Sequence, residues 1–174
     1  MPNNIPAVTT MAAMQEKMSR AAAKCITNYG FFIGATDDNL DELQAAVGTV
    51  GDAHSVPGIC GIKVFMGSST GDLLVDSEAS LTNIFANTAG LIAVHAEDQV
   101  RLERRWPEFE NRSDIAAHAE WRDSETALLA TQRATRLAQE HQHRLHILHL
   151  TSALEADWLA GKTTLPSQSK DEDT

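Results

Sequence analysis

Gly61-Ile62-Lys63-Val64-Phe65-Met66-Gly67 places four apolar residues and one lysine between two glycines. A short run rich in β-branched and aromatic residues, bounded by glycine, predicts a strand. Its apolar character predicts a strand covered on both faces, as in parallel sheets. Lys63 is the anomaly, because an unpaired ammonium is costly to bury. A strand lysine ordinarily pairs with a carboxylate or extends to the rim. The sharper reading is a neutral lysine that has reacted with CO2, whose carbamate can bridge two metal ions.

The same rhythm extends outward from this strand. Met11, Met14, Met18, Ala22 and Cys25 recur at helical spacing and predict an amphipathic helix over about 10–25. Ile26 to Ile33 reads as a strand. Asp37 and Asp38 are N-cap candidates for a helix carrying Leu40, Leu43 and Val47, stopped by Gly48. Asp76 opens the next helix, and Gly90 follows its end. Leu91 to His95 is a third strand. A short helix from Asp98 to Arg105 gives way to a loop at Pro107. A helix from about Ser124 presents Leu128, Thr131, Ala134 and Leu137 on one stripe. Leu145 to Leu150 is the fourth strand, and the capping box Ser152-Ala153-Leu154-Glu155 starts a helix ending near Gly161. Lys162 to Thr174 is polar and without periodicity, which predicts a disordered tail.

A helix followed by four strand–helix units implies parallel strands with crossover helices. No glycine-rich phosphate loop follows any strand, and polar residues gather at strand ends, which favours a (β/α)8 barrel over an open doubly wound sheet. The 174 residues fall short of the roughly 250 of a complete barrel. The expected fold is therefore α/β, a partial barrel over residues 1–161 with a tail over 162–174.

The charge balance, 24 Asp and Glu against 14 Lys and Arg, argues against broad binding to nucleic acid or anionic membranes. No run approaches a membrane span, and the start Met1-Pro2-Asn3-Asn4 is not a signal peptide. Cys25 and Cys60 lie in apolar stretches without metal or redox spacing, which predicts buried, reduced thiols in a cytoplasmic protein.

His95 ends one predicted strand and His149 lies near the end of the next. With Lys63, they occupy three strand ends at one mouth of a barrel, where such folds keep their sites. Imidazoles and a carboxylate suit zinc. Strand parity turns His146 away from His149, making His149 the better ligand candidate. His141-Gln142-His143 has metal-like spacing but precedes its strand, at the opposite end, and reads as a cationic helix C-terminus. Asn3 offers an amide donor at the mouth. Gly67-Ser68-Ser69-Thr70-Gly71 could shape a lid there.

At these residues the sequence resembles the dihydroorotases, within the cyclic amidohydrolases. The resemblance is carried by Met1-Pro2-Asn3, Asn28-Tyr29-Gly30-Phe31-Phe32-Ile33-Gly34 and Gly61-Ile62-Lys63-Val64-Phe65-Met66-Gly67-Ser68-Ser69-Thr70-Gly71. Val94-His95-Ala96-Glu97 and His146-Ile147-Leu148-His149-Leu150-Thr151 complete it. It implies two zinc ions, Lys63 as a carbamylated bridging ligand, His95 and His149 as ligands of one zinc, and Asn3 as a contact for the substrate carboxylate. The activity implied is reversible closure of N-carbamoyl-L-aspartate to dihydroorotate in pyrimidine synthesis.

The family's first-strand His-x-His and its neighbouring Arg have no counterpart here, nor does the last-strand Asp that binds zinc and carries the proton. The match corresponds to strands three to six and ends near Gly161. The expectation is a fragment with no catalytic residue of its own, inactive alone, with open edges suited to pairing with a second copy. The alternatives are an allantoinase or hydantoinase, and a non-catalytic subunit supporting aspartate transcarbamoylase. Retention of Lys63, His95 and His149 argues against the last.

Overall fold

The computed structural model describes residues 1–67 and 71–161. Its main sheet has four parallel strands: β1 (Phe31–Gly34), β4 (Ile59–Phe65), β5 (Leu91–His95) and β6 (Arg144–Ile147). A two-stranded antiparallel hairpin, β2 (Gly48–Thr49) and β3 (Asp52–Ala53), lies between the first two of them. The helices are α1 (Met11–Lys24), α2 (Leu40–Val47), α3 (Glu78–Asn87), α4 (Gln99–Phe109), α5 (Ile115–Trp121), α6 (Ser124–Glu140) and α7 (Ala153–Leu159). Among the described residues, no helix is long and apolar enough to cross a membrane.

Strand order follows chain order without reversal, whereas a doubly wound sheet reverses at a switch point. The helical layer makes the same distinction. Ile33, Ile62, Val64, Ile92 and Val94 are fully buried and form one core with Met14 of α1, Leu43 and Val47 of α2, Phe85 of α3 and Leu137 of α6. The strand residues between them (Lys63, Phe65, Ala93, His95 and His146) share the opposite face by register. One helical layer on a singly wound parallel sheet is the wall of a (β/α)8 barrel. The chain forms a partial barrel, as its βα rhythm predicts.

Several local expectations shift, each for a physical reason. β1 begins at Phe31, and Ile26 is fully exposed in the preceding turn. Asn39, rather than Asp37 or Asp38, stands at the start of α2. Its amide donates to the carbonyls of Thr9 and Gly34 at 2.8 Å each, tying the helix to the end of β1. Ser77 rather than Asp76 caps α3. Both cysteines are exposed, against expectation. Cys25 caps the end of α1, and Cys60 is the extra residue where β4 shifts register against Phe31 and Phe32.

The expected break at Pro107 does not occur. α4 continues to Phe109, whose buried ring lies 5.2 Å from the Arg105 guanidinium and 5.5 Å from that of Arg112. The packing of this last turn offsets the backbone bond that proline cannot donate. α5 follows as a separate helix, capped by Asp114, where a loop was expected.

The Ser152 capping box is half made. The Ser152 hydroxyl accepts from the Glu155 N–H, but the Glu155 carboxylate takes the hydroxyls of Ser152 at 2.7 Å and Thr131 at 2.6 Å. Burial of Glu155 against α6 redirects it. Residues 162–174, expected to be a disordered tail, and Ser68 to Thr70 of the expected lid lie outside the described residues.

The junction between α5 and α6 is held by one carboxylate. Asp123 caps α6, accepting from the Thr126 N–H at 2.9 Å and hydroxyl at 2.8 Å, and it takes Arg101 and Arg105 of α4 at 2.7 Å each. Asp123→Ala is expected to cost about 2 kcal/mol, the upper range for a cap, because two partly buried arginines lose a shared acceptor. Asp114→Ala, at a more exposed cap, should cost clearly less. Urea midpoints compare the two, and equal costs would contradict the role of the arginine pair.

Candidate functional site

Parallel register brings the C-terminal ends of β4, β5 and β6 side by side. Lys63 stands opposite Ala93 and Phe65 opposite His95. The Lys63 side chain is 1% exposed. Its ammonium donates to the Val64 carbonyl at 2.7 Å and lies 3.7 Å from the Phe65 ring centre. No carboxylate pairs with it among the described residues, and burial pushes its pKa down to about 7. A neutral amine is therefore accessible at ordinary pH, as reaction with CO2 requires.

His95 and His149 meet. His95 Nδ1 lies 2.9 Å from His149 Nε2, with ring centres 4.8 Å apart at 67°. Burial first, and then the neighbouring His95, hold His149 below its ordinary pKa. The parity argument that turned His146 away from the site does not hold. By register His146 shares the face of Lys63 and Ala93. β6 ends at Ile147, and His149 adopts φ 41°, so a turn beyond the strand delivers its ring to His95.

A cleft of about 440 Å³ opens beside this pair, lined by His95, Glu97, His118, Arg122, His149 and others. Asn3 lines a different cleft, with Thr36, Asn39, Glu42 and Asp72, to which no histidine contributes. His143 is engaged elsewhere: its Nε2 lies 3.2 Å from the Thr88 carbonyl, and its ring meets Phe85 edge-on. That fits a structural role for the His141-Gln142-His143 stretch.

The donors can be tested against the zinc that the resemblance implies. Two imidazole nitrogens face one another, and a lysine lies close enough for its charge to depress His149. These suit zinc in part. No group of three His, Cys, Asp or Glu that could hold a metal stands together among the described residues. The fit is that of one side of a centre.

No protein-family model matches the chain. Curated relatives and a solved structure do. The chain is 31% identical over 167 residues to an allantoinase of Streptomyces avermitilis, covering 91% of this chain and 34% of that protein. It is 27% identical over 155 residues to a dihydroorotase of Halobacterium salinarum, covering 87% and 33%. Its fold superposes on an L-hydantoinase (dihydropyrimidinase) from Arthrobacter aurescens with a TM-score of 0.79, at 24% identity, over 93% of this chain and 36% of that one. The chain is related to the cyclic amidohydrolases. It spans about a third of the length of the curated relatives it matches.

Within this partial barrel wall, two residues at the site escape sequence reasoning about roles. Glu97 takes His95 Nε2 at 2.5 Å, and Arg122 donates its Nε to Glu97 at 2.7 Å. Burial alone would raise the Glu97 pKa, but the hydrogen bonds from His95 and Arg122 outweigh it and bring it down to about 2. The His-x-Glu spacing was a usable signal for Glu97. Nothing in sequence marks Arg122, which arrives from 25 residues away.

Proposed function

We propose that this chain carries the central wall of a zinc-dependent dihydroorotase, which reversibly closes N-carbamoyl-L-aspartate to dihydroorotate in the cytoplasm as part of pyrimidine synthesis. The observation that supports it is the His95–His149 ring contact on the barrel face where a buried Lys63 has no carboxylate partner among the described residues. His95 and His149 would hold one ion from their side. Lys63, whose neutral amine is available near pH 7, would add its nitrogen to CO2 and release a proton, leaving a carbamate ligand. Zinc, when bound, would supply Lewis acidity and lower the pKa of a water. No residue of this chain is assigned the proton-carrying role, so the chain alone is expected to show no turnover. The outer edges of β1 and β6, which pair with no further strand among the described residues, are where a second copy adds.

Equilibrium dialysis of the chain against zinc, with and without bicarbonate, tests the reading. Zinc uptake is expected to strengthen with bicarbonate, and to fall about 100-fold in His95→Ala and His149→Ala, each of which removes a ligand. Uptake unchanged in both variants would refute the assigned ligands.

An allantoinase-type reading has its own support, the higher identity to the Streptomyces avermitilis protein. Exchanging this chain for the matching third of the Halobacterium salinarum dihydroorotase separates the two. Retained closure of N-carbamoyl-L-aspartate favours the first reading, and turnover of allantoin favours the second.

A further inference from the structure

Both ring nitrogens of His95 are engaged, by different kinds of partner. Nε2 faces the Glu97 carboxylate at 2.5 Å, and Nδ1 faces His149 at 2.9 Å. An ionised carboxylate can only accept a hydrogen bond. The proton of a neutral His95 ring therefore sits on Nε2, and the Nδ1 lone pair faces His149 Nε2.

Glu97 cannot easily turn away. Arg122 grips both of its oxygens, with Nε donating to Oε1 at 2.7 Å and Nη2 donating to Oε2. The side chains of His95, Glu97 and Arg122 are 18%, 13% and 23% exposed. Arg122 caps the end of α5, next to the Asp123 that Arg101 and Arg105 clamp. The backbone beside Glu97 is tied to the same junction, the Asp98 N–H donating to the Thr126 carbonyl at 3.0 Å. Both partners of the ion pair are thus anchored to the start of α6, away from the strand that carries His95.

We propose that Glu97, pinned by Arg122, is a positioning residue that fixes His95 as its Nε2–H tautomer and so presents the bare Nδ1 toward His149. Without this bond the ring can rotate about its Cβ–Cγ axis or move its proton to Nδ1, and either change removes the lone pair from the shared space. A carboxylate that orients a ligating histidine also raises its basicity. The inference rests on reading the histidine pair as one side of a metal site, but the tautomer is set without metal and can be observed without it.

The test is long-range proton–nitrogen correlation NMR of the metal-free, 15N-labelled chain, with His95 assigned through His95→Gln, followed by titration with zinc alone. The wild-type chain is expected to show a single Nε2–H tautomer at His95. Glu97→Gln should give a mixture or the Nδ1–H form, with zinc binding 10–100-fold weaker. Arg122→Gln, which leaves the acceptor in place but frees it, should shift the same signals in the same direction and keeps the test open if Glu97→Gln does not fold. An unchanged His95 tautomer in the folded variants would overturn the proposal. Release of the tautomer in the variants, with no zinc bound by any form, would sustain the positioning role and defeat the metal-site reading.

Discussion

Lys63→Met raises the folding stability of the chain at pH 6 by about 2 kcal/mol, because it replaces a buried cation by an apolar side chain of similar length. The wild-type ammonium has one carbonyl acceptor and an aromatic face, which compensate little of its lost hydration. The pH dependence carries the same signature. The folded-state pKa is about 7 and the ordinary value is 10.5, so between these pH values the unfolded chain binds the extra proton. Wild-type stability therefore rises with pH across that window, by at most about 1.4 kcal/mol per unit. It is flat with respect to this group below about pH 7. Lys63→Met should lack that rise, so its advantage shrinks as pH increases. Urea denaturation at pH 6, 7.5 and 9 measures both curves, and parallel profiles would contradict the buried-amine account. The same substitution should abolish any bicarbonate-dependent zinc uptake, since methionine cannot form a carbamate.

Gly61→Ala is expected to destabilise the chain by about 4 kcal/mol, enough to unfold a domain of ordinary stability near its lower limit. A Cβ at Gly61 would stand 2.2 Å from the Leu91 carbonyl oxygen, a backbone atom of the neighbouring strand, at φ 152°. Relief would require β4 and β5 to separate at the start of their pairing, beside the register shift at Cys60. Strand glycines often mark such close approaches. Gly51→Ala is the matched control: its φ is 88°, but nothing lies within 4 Å of the added carbon. That substitution should cost only about 1 kcal/mol of backbone strain. Similar urea midpoints for the two variants would remove the packing argument.

The two expectations differ in how far sequence alone supports them. Lys63 stands out in its strand on polarity alone, and the structure buries it almost completely. Gly61 reads only as a boundary, because its contact partner is Leu91, thirty residues along the chain. The cysteines show the converse error. Both lie in apolar stretches and both are exposed, since Cys60 falls at a register shift that depends on how β1 pairs with β4. Pro107 misleads for a related reason: the gain that carries α4 past it comes from Phe109 packing with two arginines, one of them from beyond the helix.

Local pattern was sufficient for the order and type of the main elements, because hydrophobic period and glycine boundaries act within a few residues. It also picked out Lys63, His95 and His149, since polar residues at the ends of apolar strands are conspicuous in any register. Tertiary structure alone decided what those residues face. The His95–His149 contact depends on a left-handed turn at His149 beyond the end of β6. Asn3 occupies a different cleft because the N-terminal segment packs against Gly34 at the end of β1. The Glu97–Arg122 clamp exists because Asp123 docks the α5–α6 junction onto α4. Each joins side chains far apart in sequence, and their meeting is set by packing free energy summed over the whole sheet and its helices.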